Sequence, residues 1–129
     1  MNPKTINDLQ SHLGVLRREG EEREARRLAQ RLGYPYVDLL KTPISTEALK
    51  LIPQEEARNS KIAAVELKVN KVALAVLDPK LPATIKTLKA LETKKYEVKV
   101  FISSLSGLGE AWKLYKFVKK EPEEITGKV

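Results

Sequence analysis

The sequence contains no cysteine and a single histidine, His12. Without thiols no disulfide can brace the fold and no thiolate can act as nucleophile, and one imidazole cannot complete a zinc site by itself. A reducing compartment suits such a chain. Long apolar runs are also missing: nothing approaches the roughly eighteen residues that span a bilayer. The start, Met1-Asn2-Pro3-Lys4, lacks the hydrophobic stretch of a signal peptide. A cytoplasmic protein without direct membrane insertion is expected. The chain also lacks a phosphate loop, which needs a glycine-rich turn ending in Gly-Lys-Ser/Thr. Gly127-Lys128 is followed by Val129, and Gly107-Leu108-Gly109 has no third glycine in register; turn or helix-start geometry accounts for both. No nucleophile-elbow motif surrounds any serine. The adjacent pairs Glu55-Glu56 and Glu123-Glu124 diverge on a helix and read as solvated charge. No catalytic residue, metal set or cofactor motif emerges, so the chain is expected not to be an enzyme.

What is present suits one compact core: 129 residues, of which 42% are hydrophobic. The net charge of +7 raises the question of an anionic partner. Its basic residues are spread along the chain and interleaved with glutamate, whereas a nucleic-acid binder gathers them on one face among aromatics. The charge is therefore read mainly as solvated surface, with no specific nucleic acid as partner.

Ile6, Leu9, Leu13 and Leu16 recur at steps of three and four, the spacing of one helix stripe. Ala25, Leu28, Ala29 and Leu32 form a second stripe, with Glu21 and Glu22 at its positive end and Gly33 as its stop. A connection at Glu19-Gly20 would fold the two helices into a hairpin spanning residues 1–33. On that hairpin Arg23, Arg26, Arg27 and Arg31 fall off the apolar stripe, towards solvent. Their planar guanidinium groups match carboxylates, which makes these four the candidate partner-binding residues.

Residues 34–120 read as a small α/β unit. Tyr34 to Leu39 suits a short edge strand, because Pro35 cannot donate to a ladder. Ser45 caps a short helix through Leu51, and Pro53 opens another over Gln54 to Arg58. Ile62–Leu67 and Val72–Leu77 form a hairpin, with Asn70 the residue suited to positive φ. Pro82 begins a helix carrying Ile85, Leu88 and Leu91, and Glu97 to Ile102 alternates as a strand. Leu105, Leu108, Ala111, Trp112, Tyr115 and Val118 make a last helical stripe, with Trp112 in the core. The polar run 121–129 reads as the start of a linker. The fold class is α+β: an N-terminal helical hairpin, then a small three- to four-stranded sheet packed with helices.

The string Leu32-Gly33-Tyr34-Pro35-Tyr36-Val37-Asp38-Leu39 resembles a segment of the N-terminal domain of type II secretion and type IV pilus assembly ATPases. Pro43-Ile44, Leu51-Ile52-Pro53, Glu55-Glu56-Ala57-Arg58 and Val72 to Pro79 follow in the same order, so the resemblance covers roughly Leu28 to Phe117. The family commonly has a proline near Ala63-Ala64, where this chain has none. The resemblance implies a docking and regulatory module that couples a hexameric motor to cytoplasmic domains of the inner-membrane secretion or pilus platform proteins. It implies a location peripheral to that membrane and a downstream ATPase domain, reached through 121–129. Some members bind cyclic di-GMP through tandem Arg-Leu-Gly repeats upstream; here only His12-Leu13-Gly14 and a later Gly20 stand in that region. A cyclic di-GMP sensor is the alternative reading, and a basic module for nucleic acid or another anionic surface is a further one.

Overall fold

A computed structural model describes residues 3–118, with side chains from 17 to 118. The tail 121–129 lies outside the described residues, as do the side chains of His12 and of the first apolar stripe. The element order is α1 (Pro3–Leu32), α2 (Thr46–Leu49), α3 (Gln54–Ser60), β1 (Ile62–Lys68), β2 (Lys71–Val76), α4 (Pro82–Thr93), β3 (Glu97–Ile102), α5 (Leu105–Lys113) and a 3₁₀ turn (Leu114–Phe117). The class is α+β, and the sheet has three strands in the order β1-β2-β3.

The expected break at Glu19-Gly20 is absent: α1 runs unbroken for 30 residues. A glycine inside a helix costs only about 1 kcal/mol relative to alanine. Gly20 is flanked by the strong helix formers Arg17, Arg18, Glu19, Glu21 and Glu22, with no proline or capping residue to stop the chain. The helix ends instead at Gly33, whose φ of 79° only glycine adopts freely. There Tyr34 N donates to Ala29 O at 3.0 Å, the wider bond of a Schellman closure. The second stripe packs on the α/β unit: Ala25 and Ala29 are buried, and α1 touches β3 and α5.

In the sheet, β1 and β2 are antiparallel, while β2 and β3 are parallel with α4 as the crossover. The pairing of β1 slips between Ala64 and Glu66, leaving Val65 as a bulge residue whose carbonyl accepts Ser45 N at 3.0 Å. The edge segment after Pro35 contributes a single parallel bridge, Tyr36 to Ile102, closed by Val37 N to Ile102 O and Ile102 N to Pro35 O. Ile62, Leu74, Val76, Ile102, Leu49 and Leu108 fill the core. Trp112 is only 6% exposed; its Nε1 donates to Ile62 O at 3.1 Å, as expected for a buried indole. Among the described residues no helix is long and apolar enough to cross a membrane.

The β1–β2 turn assigns positive φ to Val69, at 58°, and not to Asn70. Asn70 is held by the third strand, its carbonyl accepting Glu97 N at 2.8 Å, so the left-handed geometry falls on its neighbour. A β-branched residue is strained there, and Val69 is 96% exposed, so its side chain contributes little packing. Val69→Gly is expected to stabilise the protein by about 0.5–1 kcal/mol, the relieved strain exceeding the added chain entropy. The rise in the urea midpoint checks this.

Candidate functional site

The C-terminal half of α1 lies across the loops that follow β2 and β3. Two consecutive acids hold it there. Glu21 Oε1 accepts Ser106 N at 3.0 Å and Ser106 Oγ at 2.6 Å. Glu22, 7% exposed, accepts the Tyr36 hydroxyl on Oε1 and the Ser104 hydroxyl on Oε2. Ser104 is also the N-cap of α5, receiving Gly107 N at 3.0 Å. Both carboxylates thus sit at the positive end of a helix dipole, where anions are favoured. The first turn of α5 is itself tightly packed on the preceding loop and Leu39: a Cβ on Gly107 would lie 2.8 Å from Ser103 Oγ and 3.2 Å from Leu39 Cβ. Burial, followed by the bond to Glu22 and its charge, pushes the Tyr36 phenol well above its usual range.

Once α1 is fixed, its helical period decides where the arginines point. Arg23, Arg26, Arg27 and Arg31 are all exposed, as their place off the apolar stripe implies. The structure divides them. Arg26 lies over the Tyr36 ring at 5.4 Å, a cation–π arrangement. Arg23, Arg27 and Arg31 line a cleft of about 1070 Å³ together with Leu28 of α1, with Leu77, Asp78 and Leu81 of the loop between β2 and α4, and with Leu105 at the start of α5. Arg27 pairs with Glu24 at 2.9 Å, both largely exposed, an interaction worth little in water. Lined by residues that follow β2 and β3, the cleft opens beyond the C-terminal ends of the parallel strands, where open α/β sheets commonly bind ligands.

Sequence reasoning placed Glu21 and Glu22 at a helix start and did not foresee their bonds to the start of α5. Their acceptors and donors are more than eighty positions apart. The serine-rich start Ser103-Ser104-Leu105-Ser106 was the available signal, since such a helix N-terminus favours a carboxylate partner. No group of three or more histidine, cysteine, aspartate or glutamate side chains that could hold a metal occurs among the described residues.

The MshEN domain family matches residues 32–116, so the arginines at 23, 26, 27 and 31 precede the matched segment. Three solved structures share the fold. A structure of MshE with cdg aligns with a TM-score of 0.57 and 24% identity, covering 68% of this chain and 63% of that one. The N-terminal domain of XpsE aligns with a TM-score of 0.57 and 16% identity, covering 88% of this chain and 85% of that one. Another crystal form of the XpsE domain gives 0.55 and 20%, with 78% and 72% covered. The chain thus spans 63% of the MshE chain it matches. No curated protein matches the chain significantly.

Proposed function

Because this chain belongs to the MshEN domain family, the non-catalytic N-terminal domain of type II secretion and type IV pilus ATPases, we propose that it is the docking arm of such a motor. In this reading residues 34–120 form the α/β unit, 1–33 present the docking face, and 121–129 lead to an ATPase domain. The partners are cytoplasmic domains of the inner-membrane platform proteins, which would hold the domain at the membrane from the cytoplasmic side.

The observation that carries the reading is the row Arg23, Arg27 and Arg31 on a helix face that Glu21 and Glu22 fix to the core. A face anchored in this way meets a partner without paying to order itself, which favours specific docking. The 129-residue chain is expected to retain at least one platform cytoplasmic domain in a pull-down. Failure with every one of them, by a chain shown folded by circular dichroism, contradicts the reading.

A second reading is cyclic di-GMP binding. The MshE structure with cdg and the arginine-lined cleft favour it, and Arg31-Leu32-Gly33 ends α1 beside that cleft. Against it, Gly33 is already accounted for as the helix stop. Calorimetry decides: a dissociation constant in the micromolar range or tighter would move this reading to first place.

A further inference from the structure

The cleft beside α1 has three unlike parts. On α1, Arg23, Arg27 and Arg31 stand four residues apart along one ridge, so guanidinium groups recur roughly every 6 Å. The apolar floor is Leu28, Leu77, Leu81 and Leu105, the last 47% exposed. Across from α1 is Asp78, whose Oδ1 accepts Lys80 N at 2.9 Å. Glu21 and Glu24 line the cleft as well, but Glu21 is engaged by Ser106 and Glu24 by Arg27, whereas Arg23 and Arg31 have no ion-pair partner among the described residues. The start of α5, the other place where an anion would settle, is already taken by Glu21 and Glu22.

We infer that the cleft receives an acidic amphipathic helix of a partner protein, lying along α1; this rests on the docking reading and names the chemistry of its partner. Carboxylates one turn apart on that helix face Arg23, Arg27 and Arg31. Its apolar side chains enter the leucine floor, the helix-in-groove mode of recognition. Asp78 sets the orientation by repelling acids from the opposite wall. The volume, about 1070 Å³, lies at the upper limit of small-molecule sites and suits a row of side chains. Among the described residues no aromatic side chain lines the cleft, so a nucleic-acid base would have only guanidinium planes to stack on, without the aromatic platforms that single-strand binders use.

The test uses the isotopically labelled 129-residue chain and an alanine-based helical peptide with glutamate at every fourth position and leucine after each glutamate. Amide shifts observed at up to millimolar peptide detect even weak binding. Shifts concentrated at Arg23, Leu28, Leu77, Leu81 and Leu105 are expected, with affinity about tenfold lower for the same peptide carrying glutamine for glutamate. Arg23→Glu/Arg31→Glu is expected to weaken binding by at least about tenfold while leaving the remaining spectrum native. Absence of shifts overturns the inference, as do shifts elsewhere or equal affinity of the glutamine peptide. So does displacement of the peptide by single-stranded DNA that persists at physiological salt. If platform domains bind while the peptide does not, the inference falls and the docking reading stands; peptide binding without platform binding gives the reverse.

Discussion

Trp112→Ala is expected to cost about 3–5 kcal/mol, the range for removing a buried aromatic from a packed core. Trp112, on α5, is 6% exposed and faces β1. Its loss leaves a cavity and strands the Ile62 carbonyl that its Nε1 now satisfies at 3.1 Å. Arg58 and Lys61, which lie over the ring at 5.5 and 5.9 Å, lose that surface as well. Against a total stability of about 5–15 kcal/mol for a domain of this kind, such a loss brings the protein close to unfolding at ambient temperature. Trp112→Phe keeps most of the apolar volume and separates the hydrogen bond from the packing. Because this is the single tryptophan, urea titrations of all three proteins are followed by far-ultraviolet circular dichroism.

Glu22→Ala is expected to cost about 2–4 kcal/mol, because two hydroxyl donors lose a charged acceptor. Ser104 is 2% exposed and Tyr36 is half-buried, so water replaces the carboxylate poorly. Glu22→Gln retains a carbonyl acceptor and loses the charge at the α5 N-terminus, and is expected to cost less, about 1 kcal/mol. A double-mutant cycle between Glu22→Ala and Tyr36→Phe isolates their shared bond. The loss also loosens α1 from the core, which trypsin reports: cleavage after Arg23, Arg26, Arg27 or Arg31 requires local opening of the helix. Faster cleavage within that segment than elsewhere is the expected pattern for Glu22→Ala.

The α/β unit was legible because its signals are local. Pro82 at the start of α4, Ser45 and Ser104 as caps, and the alternation of Val98, Val100 and Ile102 each constrain their own neighbourhood. Trp112 was placed in the core by its position on an apolar stripe. Two readings failed, one by overweighting a local signal and one because a distant group decided the outcome. Gly20 suggested a turn, yet a lone glycine does not end a helix without a cap, and nothing nearby supplies one. Asn70 was the local choice for positive φ, but its carbonyl is committed to Glu97 of β3 and Val69 takes the strain. The four arginines could be assigned to the solvent side by helical period alone. Their division into a cleft-lining row and Arg26 over Tyr36 depends on how α1 crosses the sheet, which is fixed by bonds from Glu21 and Glu22 to a segment more than eighty residues away.

The central claim, that α1 docks the domain through its arginine face, is tested most directly by titrating the platform cytoplasmic domain that the wild-type chain retains against Arg23→Glu/Arg27→Glu. The reversal is expected to weaken binding by about 1–3 kcal/mol, roughly five- to 150-fold, while circular dichroism and the urea midpoint stay native. Unchanged affinity in a natively folded variant would contradict the claim and remove the arginine face as the docking site.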